Sequence, residues 1–214
     1  AMAIQLLESW KLSEQKAALM AIEKSKAELD TLKAQVNPHF LFNVLNNMYA
    51  MAQTGHPQTA ESIMHLSNLM RYITDEATQD VVPLEYELRY IEDYIALQRM
   101  RLGEKTKVVY SCTNNTTNLL IAPLLLIPLV ENVFKHGVSN AKPAEIHISV
   151  EVDDNKLMLK THNLKFEKWG KHERQGLGLQ NLKRRLEHLH PGGFQLHYKD
   201  LGEAFDTQLI INLI

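Results

Sequence analysis

The 214-residue sequence predicts an α+β chain: a helical first half, then a mixed sheet covered on one face by helices. Two observations carry this. Apolar residues recur with a helical period as far as Gly103, and beyond it Ile146, Ile148, Val150 and Val152 alternate with polar residues as a strand does.

Residues 1–36 are expected to form an N-terminal coiled-coil helix. From Ser9 to Gln35 there is no proline or glycine, and Ile22, Leu29 and Val36 recur every seven residues. The polar Ser25 and Lys26 in the same seam leave open a single amphipathic helix packed on its own domain. Residues 37–103 follow as a helical hairpin and a third helix. Pro38 should kink or restart the chain at His39. Phe42, Leu45 and Met48 then mark one helix up to the Gly55-His56-Pro57 break, and Ile63, Leu66, Met70 and Ile73 mark the next. Two such hairpins from two chains would bury their stripes as a four-helix bundle. Pro83 opens a helix with Leu84, Leu88, Ile91 and Ile95 on one face.

Residues 104–214 form the sheet domain. Lys107–Cys112 reads as a strand, Leu124–His136 as an apolar helix, and Asp153-Asp154-Asn155 as a turn into a strand with Leu157, Leu159 and Thr161 inward. Leu179, Leu182, Leu186 and Leu189 mark a helix stopped by Pro191-Gly192-Gly193. Phe194–Tyr198 and Phe205–Leu213 complete the sheet.

The bulk numbers exclude several classes. A net charge of -2, with no basic block, gives no footprint for nucleic acid. The single Cys112 cannot form an internal disulfide. The apolar run Ile121–Val130 is interrupted by two prolines and falls short of the roughly 20 residues of a membrane span. The opening Ala1-Met2-Ala3 reads as an expression scar, with the natural protein expected to begin upstream.

Three segments carry chemistry. In Gln35-Val36-Asn37-Pro38-His39-Phe40-Leu41-Phe42-Asn43, one imidazole follows a proline inside an apolar run, and a neutral imidazole can accept a phosphoryl group. In Pro128–Gly137 the polar Glu131, Asn132, Lys135 and His136 interrupt an apolar helix. Asn132, Lys135 and His136 share a face, which suits a Mg²⁺-holding amide and phosphate-meeting cations, or simply a solvent edge. Gly176-Leu177-Gly178-Leu179 opens a helix, where free N–H groups and absent side chains let a phosphate approach; many helices also begin with glycine for conformational reasons alone. Before it lies a basic stretch with Lys165, Lys168, Lys171, His172 and Arg174, which reads as a flap able to close over phosphates.

In this order the stretches QVNPHFLFN, PLVENVFKHG and GLGLQNLKRRL, with VPLEYELRYIEDYIALQRMR between the first two, resemble the LytS/YehU type of bacterial sensor histidine kinase, whose ATP-binding domain belongs to the GHKL superfamily. The resemblance covers almost the whole chain. It implies a dimerisation hairpin, a four-helix bundle in the homodimer, followed by a Bergerat-type α/β sandwich that binds ATP with Mg²⁺. It further implies a kinase that phosphorylates its own His39 and passes the group to an aspartate in the receiver domain of a response regulator. By the same carry-over Asn132 coordinates Mg²⁺, Lys135 or His136 neutralises phosphate, Gly176 and Gly178 form the hinge and cradle of the ATP lid with Leu179 beside them, and Thr207 places a hydroxyl near adenine. The chain would be the cytoplasmic core of an inner-membrane sensor, reaching the membrane only through an N-terminal region absent here.

Two departures stand out. The superfamily's adenine-binding Asp-x-Gly is replaced by Asn163-Leu164-Lys165, in which strand parity puts Asn163 in the aspartate's place. An asparagine keeps an acceptor and loses the charge, which should weaken adenine recognition. No acid follows His39, leaving Glu131 as a candidate for the proton-accepting base. These departures keep a second reading in play, a dimeric scaffold of the same fold that signals through conformation or partner binding. An ATP hydrolase ranks last, since Pro128 stands one turn before Asn132 where a water-activating carboxylate would be needed. His147, His162 and His197 fall on polar strand faces without zinc-ligand spacing and are expected to be solvated.

Overall fold

A computed structural model describes residues 38–103, 105–115, 118–139, 141–166 and 177–213. The expected coiled coil, Gly176 and the flap residues 167–175 lie outside these. The chain groups into two compact units, 1–49 and 50–214.

Of the first unit, the described part is most of α1 (Pro38–Gln53). Val44 and Met48, four apart, form its buried stripe. Phe42 and Leu45, which share the helical spacing of Met48, are 66% and 46% exposed in the single chain, as is Tyr49 at 66%.

In the second unit, α1 ends in a turn at Gly55 (φ 64°), a left-handed conformation that glycine adopts without penalty. Helix α2 (Thr59–Arg71) follows. Glu61 in its first turn and Arg71 in its last complement the helix dipole. Its buried positions are Ser62 and Leu69; Ile63, expected inward, is exposed, and Leu66 and Met70 are half-buried. The small Ser62 lets α2 approach α3 (Leu84–Arg99), where its Oγ lies 2.9 Å from Met100 Sδ. One turn on, His65 Nδ1 meets Asp93 Oδ1 at 2.6 Å. Helix α2 runs into a π-helical turn, Tyr72–Glu76, closed by Ala77 N–H donating to Tyr72 O at 2.8 Å. Helix α3 begins after Pro83, buries Leu84, Leu88, Ile91 and Ile95 as its period predicts, and adds Glu87, which is fully buried.

The sheet has the order β2-β4-β5-β7-β6, with β2 (Thr106–Asn114), β4 (Ala144–Asp153), β5 (Lys156–Leu164), β6 (Phe194–Asp200) and β7 (Ala204–Asn212). Only the β2–β4 pair is parallel, because the chain crosses over between them through α4 (Ile127–His136). A second, two-stranded sheet not legible in the sequence pairs β1 (Val82–Pro83) with β3 (Leu120–Ile121).

Period-two alternation fixes the inner face. Ile146, Ile148, Val150, Val152, Leu157, Leu159, Thr161, Asn163, Thr207, Leu209 and Ile211 are all buried. Leu129 and Val133 of α4 and Leu182 and Leu186 of α5 (Leu177–Leu189) close the core on that side. Each such side chain contributes about 1.5–3 kcal/mol by leaving water. The outer face carries the expected polar residues: His147 packs edge-on against His162, whose Nδ1 is 2.5 Å from Asp206 Oδ1.

Helix α4 begins three residues later than its apolar run suggests. Leu124 takes φ 53°, a left-handed conformation that breaks the helical path, and Pro128 then sits in the first turn.

Candidate functional site

The site is built where the end of α4 lies on β5. Gly137 closes α4, its N–H donating to Val133 O at 2.7 Å. Its φ of -94° is open to any residue, so conformation does not demand glycine here. Space does: a Cβ on Gly137 would stand 2.5 Å from Val133 O and 2.6 Å from Asn163 Cβ. Only a bare Cα lets the helix end descend onto Asn163.

Asn163 is fully buried, as strand parity predicts. Its Nδ2 donates to Leu164 O at 2.8 Å, which fixes the amide's orientation, and its Oδ1 has no partner. A buried acceptor without a donor costs about 1–3 kcal/mol. An aspartate in the same pose would aim an oxygen at Leu164 O, so the asparagine suits this backbone. One pair of residues away, Thr161 Oγ1 and Thr207 Oγ1 share a hydrogen bond of 2.5 Å. The structure thus gathers Gly137, Asn163, Thr161 and Thr207 on one inner patch.

Of the other α4 residues, Asn132 and His136 are half-buried and Lys135 is exposed. The His136 carbonyl accepts from Phe166 N–H at 3.3 Å, tying the helix end to the chain leaving β5. Glu131 is half-buried beside Tyr90 and Tyr94 of α3; burial pushes its carboxyl above the usual carboxylate range, and Lys135 opposes that rise. Gly178 and Leu179 lie in the first turn of α5, exposed and half-buried respectively. Lys165, read from sequence as part of the flap, is held by Asp200 instead, with Nζ 2.9 and 2.8 Å from its two oxygens.

In α1, His39 is exposed, and the Asn43 amide one turn later lies 3.1 Å from its Nδ1. The four-residue spacing of His39 and Asn43 is the sequence signal for this contact. Gly137 and Thr161 carry no comparable local signal, since their partners Asn163 and Thr207 lie far along the chain. Among the described residues, no group of three or more metal-binding side chains is present.

A five-stranded mixed sheet with its helices on one face, and a glycine-ended helix over a buried polar strand residue, make the second unit an α+β sandwich. Residues 27–106 match the histidine kinase family, and the chain is a relative of the LytS-type sensor proteins. Sensor protein LytS of Staphylococcus saprophyticus is 30% identical over 191 residues, 80% of this chain and 32% of the relative. Sensor histidine kinase YpdA of Escherichia coli K12 is 36% identical over 118 residues, 55% of this chain and 21% of the relative. Among solved structures, the histidine kinase domain of the Erythrobacter litoralis EL346 blue-light activated kinase matches with TM-score 0.47 and 16% identity, over 86% of this chain and 90% of that one. The chain spans about a third of the length of the LytS relatives. Among the described residues, no helix is long and apolar enough to cross a membrane.

Proposed function

We propose that this chain is the kinase core of a two-component sensor, which phosphorylates His39 from Mg-ATP and passes the phosphoryl group to an aspartate of a response regulator's receiver domain. The observation that carries the nucleotide half is the partnerless acceptor of Asn163. It is buried and locked in orientation, and it fits the amino group of adenine. Thr207 lies beside it, held by Thr161. Asn132 would hold Mg²⁺, which draws charge from the phosphates; Lys135 or His136 would meet the phosphates; Gly176, Gly178 and Leu179 would form the lid's hinge and cradle.

The phosphoacceptor half rests on His39, which is exposed on the first turn of α1. In-line attack by Nε2 forms a nitrogen–phosphorus bond as the bond to the leaving ADP oxygen breaks. Attack by Nε2 requires the ring proton on Nδ1; the Asn43 amide nitrogen lies 3.1 Å from Nδ1 and 3.4 Å from Nε2 and steadies the ring by donating to it. The proton then leaves to solvent or to a carboxylate, for which Glu131, whose burial raises its proton affinity, is our candidate.

We take residues 1–36 as the signalling helix, 37–103 as the dimerisation and phosphotransfer helices, and 104–214 as the nucleotide domain. Homodimerisation is supported by the apolar residues left exposed in a single chain, Phe42, Leu45 and Tyr49 on α1 and Ile63 and Met64 on α2. A membrane link would run through sequence upstream of this chain.

The test is incubation with γ-labelled ATP and Mg²⁺, beside His39→Ala. Label that survives alkali and is lost in acid, on the parent alone, supports the kinase. No label on either chain, with no nucleotide bound, favours the scaffold reading, which the missing aspartate motivates.

A further inference from the structure

The turn entering α4 is clamped from both sides by residues of two other helices. Leu124 holds the strained φ of 53°. Its N–H donates to Glu87 Oε2 at 2.8 Å, and the Leu126 N–H donates to Glu87 Oε1 at 3.0 Å. From the other side Arg185 of α5 donates from Nη1 to Leu124 O at 3.0 Å and from Nη2 to Pro123 O at 2.5 Å. Tyr72, first residue of the π-helical turn, donates its hydroxyl to Glu87 Oε2 at 2.5 Å. Glu87 is fully buried. Burial raises its carboxyl's proton affinity, and the three donors with nearby Arg185 oppose that rise.

Among the described residues, Glu87 and Arg185 make their hydrogen bonds to Tyr72, Pro123, Leu124 and Leu126, and not to residues assigned to nucleotide. What they fix is the start of the helix that carries Asn132, Lys135, His136 and Gly137, and Arg185 does so from the helix that carries Gly178. Left-handed backbone at a leucine persists only where its surroundings over-determine it. A fully buried carboxylate is tolerated only when its oxygens are satisfied. Each feature supplies what the other requires.

We infer that Glu87 and Arg185 are positioning residues for the nucleotide site, and that Tyr72 links their setting to the end of α2. A change at the start of α5 moves the Arg185 fork, hence the Leu124 turn, hence Glu87 and the π-helical turn. The device rests on the nucleotide reading above.

The experiment is amide hydrogen exchange of Leu124, Leu126 and Ala77, with and without Mg-ADP, in the parent chain, Tyr72→Phe and Arg185→Lys. Calorimetric Mg-ADP titration and far-UV circular dichroism accompany it. In the parent, Mg-ADP should slow all three amides. In Tyr72→Phe, which is nearly isosteric, Mg-ADP should still bind and slow Leu124 and Leu126, while Ala77 no longer responds. Arg185→Lys keeps the charge and loses the fork, and should weaken Mg-ADP about tenfold, the effect of one hydrogen bond from a charged donor. A merely structural network would lower the melting temperature of both variants and leave the nucleotide-dependent change at Ala77 intact, which overturns the inference. So does a parent that binds Mg-ADP with no change at these amides. A folded parent that binds no Mg-ADP defeats the nucleotide reading itself and the inference with it. Should Arg185→Lys fail to fold, the parent and Tyr72→Phe still decide.

Discussion

Asn163→Ala separates stability from recognition at the proposed adenine position. Removing the side chain deletes the Nδ2 bond to Leu164 O, about 0.5–1.5 kcal/mol, and leaves a small void, about 1 kcal/mol. It also removes the partnerless buried Oδ1, whose desolvation costs about 1–3 kcal/mol. These oppose one another, so nucleotide-free stability should change by no more than about 1.5 kcal/mol in either direction.

Nucleotide affinity has no such compensation. The adenine amino group loses its buried acceptor and enters the site unpaired, at about 1.5–3 kcal/mol, roughly ten- to hundredfold in Kd. Because Nδ2 is committed to Leu164 O, the amide cannot turn to greet guanine, whose corresponding atom is an acceptor. The parent should therefore prefer ATP to GTP, and the variant should lose most of that preference. Urea unfolding of the free chain and calorimetric titration with each nucleotide measure the two quantities. An unchanged ATP affinity and an unchanged ATP-to-GTP ratio in a folded variant would refute the assignment of Asn163 to adenine.

Gly137→Ala should remove nucleotide binding and destabilise the chain by about 1–3 kcal/mol, since its Cβ meets the Val133 carbonyl and the Asn163 Cβ; thermal unfolding and titration read both effects. Thr207→Val should cost about 1–3 kcal/mol by stranding the buried Thr161 hydroxyl, and adding Thr161→Val should recover part of that loss; denaturant unfolding of the four chains of the cycle checks the sign of the coupling. Glu131→Gln addresses pH. Burial raises the Glu131 carboxyl in the folded chain above its ordinary 4.5, so the folded state binds the proton more tightly and stability falls as pH rises above that value. The glutamine variant lacks this decline. It should melt above the parent at pH 7, with the gap closing toward pH 4.5, and a constant gap across that range would refute the sign.

What the sequence discloses follows from how local each cause is. Strand parity is a property of neighbours along the chain, and it places Asn163 and Thr207 inward from Leu157, Leu159 and Thr161 alone. The helical period of α3 is local in the same sense, and Leu84, Leu88, Ile91 and Ile95 are all buried. The stripe read on α1 and α2 is buried only in part within one chain, at Met48 and Ile73, because burial depends on what stands opposite. Phe42, Leu45 and Ile63 have the right spacing and are exposed, while Ser62 is buried because its smallness admits the neighbouring helix.

The site shows the same division. A motif supplies residue types in order, and that suffices to nominate His39, Asn132, Gly178 and Thr207. It cannot show that Gly137 is required for closeness rather than for φ, because that reason lies in a strand residue 26 positions away (Asn163). Glu87 is the extreme case. In sequence it is an ordinary acid in the first turn of a helix, where carboxylates are expected for the dipole. Its three hydrogen-bond donors come from Tyr72, Leu124 and Leu126, and none of them is within a helical turn of it. The strain at Leu124 is equally invisible, since a leucine in an apolar run gives every sign of continuing the helix. A rule of local sequence is broken at Leu124, and the groups that hold the broken turn come from α3 and α5, so the turn depends on the tertiary fold for its shape.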